Sequence, residues 1–530
     1  MTALNLFTKI LQKNYLVFAS IIVFGVTNIV VSSGQHMVHR VLSFIFIVLI
    51  LKRISSTVCR YLLAIPLMVL TAADISISLY AWCTFGTKFN DGFAVSVLQS
   101  NPDEIVQMLG VYLSYFFAFI LLFLLFLASA RKYDGTLPAK KVTGTLLFIL
   151  LSISLFFSYR FASKYVEGKE TINSYIVASR FSTYTPFFNL NYFALAMKEF
   201  QTLKFIAKTV PHYQLTVTDT GIENYVVIVG ESARVDNMSI YGYGKPTTPQ
   251  LEAQKARIKL FTQAIGGAPH TALAVPLALT ADEIQHHDIH HYPDNIINMA
   301  NQAGFHTTWL SAQSAFRQRG TAVTSIAMRA KDSVYVRGYD ELLLPHLEEA
   351  LQGNPSQKKL IVLHLRGSHA PVCSAYPTNK AAFQPHGDKD VCYDNSIHYT
   401  DSLLGQVFEL LKDTRSSVMY FSDHGLERDP STSAVYFHGG IKPSQQAYHV
   451  PMFIWFSPTL GDDVDTATAK DIYSTTYNDI LISAWMGATK PEQPKTIGDV
   501  IERHKGDARV MDGSYDVLDY LTLRKTHTGR

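Results

Sequence analysis

Apolar positions change character near the middle of the chain. Before about residue 160 they form long, almost unbroken runs; beyond about residue 220 they come in short bursts separated by polar, helix-periodic stretches. Of five apolar runs, Tyr15–Val31, Val41–Leu51 with its flanks, Tyr61–Trp82, Leu109–Ala130 and Val142–Tyr159, several approach the roughly 20 residues that a helix needs to cross a bilayer, and the second is short. The first lacks a small-residue cleavage site and leads directly into further runs, so it reads as an anchor rather than a removed signal. The pattern predicts an α-helical membrane domain of about five spans over residues 1–160. A connector follows over residues 161–220. Its segment Ser182–Phe200, STYTPFFNLNYFALAMKEF, has the composition of a helix lying in the lipid interface, with a packed connector helix as the alternative.

From residue 221 the pattern predicts alternating strands and helices. YVVIVG at 225–230 is a strand buried on both faces, and a helical stretch follows near Leu273–Thr280. The helix NIINMANQAG stops at Gly304, and the strands HTTWLS and LIVLHL come next. A helix over Asn395–Leu411, the strand SVMYFS and the apolar run VPMFIWF complete the series. Such alternation predicts an α/β domain over residues 221–530 with a mixed, mostly parallel central sheet covered on both faces.

Charge settles orientation rather than partner. The net charge of +3 excludes nucleic-acid binding as the bulk role. Lys9 and Lys13 precede the first run, Lys52, Arg53 and Arg60 separate the second and third, and Arg131, Lys132, Lys140 and Lys141 separate the fourth and fifth. The alternate loops, including the polar stretch Thr87–Glu104, are poor in Lys and Arg, with Arg40 and Lys88 the main exceptions. The positive-inside rule puts the amino terminus in the cytoplasm, and an odd number of spans puts everything after Tyr159 on the far side. In a bacterium that is a multi-pass inner-membrane protein with a periplasmic catalytic domain. In that compartment Cys373 and Cys392 are expected to pair, while Cys59 and Cys83 lie at opposite ends of one apolar run.

Chemistry gathers at strand ends. Glu231 and Ser232 follow YVVIVG, and Asp423 and His424 follow SVMYFS; in an open α/β sheet that edge is where ligands bind. A lone Asp-His pair is ordinarily a capped turn, but two acidic strand ends in one sheet suit a catalytic zinc or similar divalent ion. Thr271, in GGAPHTALAVPLALT, starts a helix; it either caps that helix or supplies a hydroxyl that a metal could activate beside a phosphate-binding helix end. His369, His438 and His449 each suit a surface role singly, and together could bind a second metal or stabilise developing charge. The HHDIHH segment over 286–291 reads as an incidental or substrate-rim feature.

GESAR and NMSIYGY around Glu231, TALAVP from Thr271, SDHG at 422–425 and HVPM from His449 together resemble the phosphoethanolamine transferases of the alkaline phosphatase and sulfatase superfamily. The order of the motifs and the five runs agree, so the resemblance covers essentially the whole chain. It implies zinc, as one or two ions, held by Glu231, Thr271, Asp423 and His424. It also implies that Thr271 takes up phosphoethanolamine from phosphatidylethanolamine for delivery to a glycolipid or glycan acceptor. His369, His438 and His449 resemble accessory histidines for substrate or a second zinc. The chain departs from the lipid A enzymes of the family in having no cysteine near the threonine, which points to a less-studied branch. A phosphoglycerol transferase shares the same threonine and metal. A sulfatase needs a C/S-x-P-x-R nucleophile segment that is missing near Thr271, and a non-catalytic envelope sensor would not need the complete set.

Overall fold

The computed structural model describes residues 3–31, 34–85, 109–131, 185–313, 321–384, 390–428, 436–437, 443–513 and 515–525, with a few isolated positions between 89 and 144. Nearly all of the fifth apolar run and of the Thr87–Glu104 loop, residues 182–184 and His438 lie outside them.

The chain divides into two compact units, the first formed by residues 1–94 and 102–196 and the second by 95–101 and 197–530. In the first, four helices follow the apolar runs: α1 (Ala3–Val31), α2 (Gly34–Arg53), α3 (Thr57–Phe85) and α4 (Leu109–Ser129). Phe24, Phe44 and Phe126 meet at their centre, while Leu62, Phe117 and Leu121 face outward, as apolar residues do on a lipid-facing surface. Thr57–Cys83 and Tyr112–Ser129 are long and apolar enough to cross a membrane. The interfacial segment forms a 3-10 turn at Phe188–Leu190 and then helix α5 (Asn191–Ile206), starting later and running further than its composition suggested.

The second unit is built on eight strands: β1 (Asn224–Gly230), β2 (Ile258–Ile265), β3 (His306–Ser311), β4 (Asp332–Tyr335), β5 (Lys359–His364), β6 (Ser416–Ser422), β7 (Met452–Phe456) and β8 (Ala469–Ser474). Their spatial order is β8-β2-β7-β6-β1-β5-β3-β4, and only β7 runs antiparallel to its neighbours. Side chains alternate across a strand, so Tyr225, Val227 and Val229 of β1 enter one core and Val226 and Ile228 the other. The first core is closed by α6 (Thr271–Leu279), α7 (Ile296–Gln302) and α10 (Asn478–Met486), through Val275, Ile297 and Leu481. The second is closed by α8 (Leu344–Gln352) and α9 (Val391–Leu411), through Leu347 and Leu404. Burial of the central strands on both faces explains why they read as continuous apolar runs.

Candidate active site

Register decides where the chemistry meets. β1 and β6 are adjacent and parallel, with Gly230 opposite Ser422, so Glu231 and Asp423 leave the same sheet edge side by side. The Asp423 N–H donates to the Gly230 carbonyl at 3.1 Å, which fixes that alignment. β2, β3 and β5 end at the same edge and lead to Thr271, Gln313 and His369. Two glycines allow the loops to close in. A Cβ at Gly266 would lie 2.6 Å from the Asp423 carbonyl oxygen, and one at Gly367, whose φ is +51°, would lie 2.7 Å from that of Glu231.

Glu231, Asp423 and His424 are all buried, and their ligating atoms lie within 4.8 Å of one another. The Thr271 hydroxyl donates to Glu231 Oε2 at 2.9 Å and lies 3.3 Å from His424 Nε2. His424 Nδ1 bonds the Gly425 carbonyl at 2.8 Å, leaving Nε2 toward Glu231 Oε1 at 3.2 Å and Asp423 Oδ2 at 3.5 Å. Asp423 Oδ1 accepts the N–H groups of Ser232 and His424, but its Oδ2 is buried without a hydrogen-bond partner among the described residues. Burial drives the Glu231 carboxyl up, yet the hydrogen bond and charge of His424 outweigh it and hold the group well below the usual carboxylate range. Burial and then the Glu231 charge push Asp423 up to about 7. His424 is driven down by burial, but Asp423 and Glu231 carry it up to about 9. Two buried carboxylates, an imidazole oriented through its far nitrogen and an orphaned carboxylate oxygen form a donor set that fits a divalent cation such as zinc.

The remaining residues fall into place unevenly. His369 follows β5 closely enough for its charge to act on Glu231, with Nδ1 bonded to the Ala370 carbonyl at 2.7 Å. Its loop is pinned by buried Asp340, which accepts the N–H groups of Arg366 at 2.7 Å and Gly367 at 2.9 Å. The same loop is joined to α9 by a Cys373–Cys392 disulfide. His449 is engaged elsewhere, with Nε2 against the Thr262 carbonyl at 3.2 Å, and does not join the three-ligand cluster. Ser232, whose backbone adopts a φ of 59°, donates from its side chain to Glu231 Oε1 at 2.7 Å. In the histidine-rich loop, buried Asp282 holds His287 Nδ1 at 2.6 Å and His291 Nδ1 at 3.3 Å. Gln313, which carries no signal in the sequence, donates from Nε2 to Glu231 Oε2 and to the Leu365 carbonyl, each at 2.9 Å. Arg234 of the GESAR motif is buried against the stacked rings of Tyr393 and Tyr436 and donates to Asn237 Oδ1 at 2.8 Å, bracing the loop rather than facing the cluster.

Residues 1–207 match the family described as the transferase YhbX N-terminal domain, and residues 223–490 match the sulfatase family. YhbX of Escherichia coli strain K12, which carries the name of a transferase, is 66% identical over 528 residues, covering 100% of this chain and 98% of its own. The phosphoethanolamine transferase EptC of the same strain is 29% identical over 263 residues, 44% of each chain. A crystal structure of its C-terminal periplasmic domain in complex with zinc superposes with a TM-score of 0.53, at 24% identity over 59% of this chain and 98% of that one. The integral membrane lipooligosaccharide phosphoethanolamine transferase A of Neisseria meningitidis superposes with a TM-score of 0.62, at 19% identity over 92% of this chain and 95% of that one. With this site at the carboxyl edge of this sheet, and with a relative alike over its whole length, the chain belongs to the membrane phosphoethanolamine transferase family of the alkaline phosphatase superfamily.

Proposed function

We propose that this protein transfers phosphoethanolamine from phosphatidylethanolamine to a hydroxyl or phosphate of an envelope glycolipid or glycan, with lipopolysaccharide lipid A or core as leading acceptors. The group passes through a covalent adduct on Thr271. The observation that carries this reading is the Thr271 hydroxyl, held at the start of a helix 2.9 Å from Glu231 Oε2 and 3.3 Å from His424 Nε2. Zinc, as one or two ions held by Glu231, Thr271, Asp423 and His424, would lower the pKa of that hydroxyl and neutralise phosphoryl charge.

The chain's own residues do the rest. Thr271 Oγ1 attacks phosphorus, forming the threonyl ester as the bond to the diacylglycerol oxygen breaks. The proton lost by threonine is matched by the one that diacylglycerol takes up. The N-terminus of α6 presents its positive dipole end to the phosphoryl oxygens. His369, near Glu231, is suited to contact the incoming group. An acceptor oxygen then attacks the adduct, loses its proton and returns the threonine hydroxyl. Two inversions retain configuration at phosphorus. A lipid donor accounts for a membrane domain, here a five-span, multi-pass inner-membrane domain over residues 1–160, a connector over 161–220 and a periplasmic catalytic domain over 221–530.

The test is incubation of the purified full-length protein with phosphatidylethanolamine, followed by peptide mass spectrometry. The expected result is a phosphoethanolamine adduct on the Thr271 peptide, absent from Thr271→Ala, with both adduct and zinc lost from Asp423→Ala. Near-normal transfer by Thr271→Ala, or an adduct on Ser232, would sink the assignment.

A further inference from the structure

His270 immediately precedes Thr271 and is the N-cap residue of α6, in extended backbone with φ −155° and ψ 151°. Its carbonyl starts the helix, accepting from Leu273 N at 3.2 Å and Ala274 N at 3.0 Å. Its side chain makes no capping bond. Asn295, at the equivalent position of α7, shows what a cap does: its side chain accepts the N–H groups of Ile297 and Asn298. Both ring nitrogens of His270 are instead buried, and neither has a hydrogen-bond partner among the described residues. The ring lies near enough to His424 for that group's charge to act on it. Whatever the tautomer, at least one of those nitrogens carries a hydrogen, and a buried donor left unpaired is costly. Such a group beside a nucleophile has a physical reason to persist if a ligand completes it.

We propose that His270 is a phosphoryl-binding residue, whose ring N–H donates to a non-bridging oxygen of the phosphoryl group held at Thr271. The bond is made to the donor phospholipid and kept in the threonyl adduct, so it stabilises charge on the group throughout its transfer. The proposal rests on the transfer reading above and adds to it a contact supplied by the residue next to the nucleophile.

The experiment uses zinc-loaded, detergent-solubilised full-length protein with phosphatidylethanolamine in mixed micelles. In His270→Ala, single-turnover formation of the Thr271 adduct is expected to slow about a hundredfold, with zinc content and thermal midpoint unchanged. His270→Asn or His270→Gln, each carrying an amide N–H near one ring nitrogen, is expected to regain about tenfold of that loss. Inorganic phosphate, followed by phosphorus NMR, is expected to bind about tenfold more weakly to His270→Ala. Adduct formation at the wild-type rate together with unchanged phosphate affinity overturns the proposal. So does loss of zinc from all three variants, which would make His270 part of the ligand shell or of the fold. If the wild-type protein forms no adduct, the transfer reading fails, and the phosphate measurement alone decides His270: weakened binding in His270→Ala upholds the contact, and unchanged binding removes it.

Discussion

Gln313 stands two residues beyond β3 and spends both of its amide hydrogens at the site, on Glu231 Oε2 and on the Leu365 carbonyl. A carboxylate that binds metal through one oxygen needs its plane fixed from behind, and outer partners of this kind are worth about 10- to 100-fold in metal affinity. Gln313→Leu, which keeps the volume and removes both donors, is expected to weaken zinc binding by that factor while the protein stays folded. Competition with a chromophoric chelator measures it, and unchanged affinity would show that the metal alone orients Glu231. Glu231, Asp423 and His424 stood out in the sequence because an acid directly after an apolar run is poor packing material, whereas Thr271, which also reads as a helix cap, was singled out by the family resemblance. Gln313 and His270 did not stand out, since a Gln or His in a polar loop is ordinary. Only the parallel register of β3 and β5 brings Gln313 back to Glu231.

Among the elements, legibility follows burial. β1, β5 and β6 are covered on both faces and read as unbroken apolar text. The polar edge strands β4 and β8 are partly exposed and gave no such run, and β2 is broken by Lys259, Thr262 and Gln263. The helix foreseen at Asn395 starts four residues earlier, at Val391, and its first turn carries Cys392 of the disulfide and Tyr393 of the second core. Inside that helix, Asp401 accepts the N–H groups of Gln250 at 2.8 Å and Leu251 at 3.0 Å, capping the short helix Pro249–Ala253 from outside it. Burial pushes its carboxyl up to about 7, more than the two N–H groups pull it down. The folded state therefore holds this proton more tightly than the unfolded chain does. Its contribution is full below about pH 4 and is lost as pH rises through about 7. Between those limits wild-type stability is expected to fall by about 4 kcal/mol from this group, and Asp401→Asn should flatten that part of the curve. Thermal midpoints of both proteins from pH 5 to 8 check it, and parallel curves would rule Asp401 out as the source.

For the molecule as a whole, the question is which side of the membrane the sheet occupies, and the four described helices of the first unit bear on it. Lys52 Nζ at the end of α2 donates to the Arg131 carbonyl beyond α4 at 3.0 Å, and Arg60 at the start of α3 donates to the Ile54 carbonyl at 3.0 Å. Lys52, Arg53, Arg60 and Arg131 therefore gather at one end of this unit, as a cytoplasmic end requires. Arg40 looked like an exception in the sequence. It is instead buried in α2, paired with the equally buried Asp74 of α3, which also accepts from Asn189 Nδ2 and Leu190 N. An ion pair closed inside the helices adds no net charge to the opposite face, so Arg40 does not count against the orientation. On the proposed five-span reading the amino terminus lies in the cytoplasm and the carboxyl terminus outside it. A reporter that becomes active only after export, fused behind Arg530, is expected to be active, and a cytoplasm-only reporter at the same site silent. Replacing Lys52, Arg53, Arg60 and Arg131 together by Asn should lower the exported signal, because those charges set the orientation, whereas Arg40→Asn should leave it in place. Equal exported signal from the fourfold variant, or a cytoplasmic signal from the wild type, would reverse the topology and remove the sheet from the compartment that its proposed acceptors require.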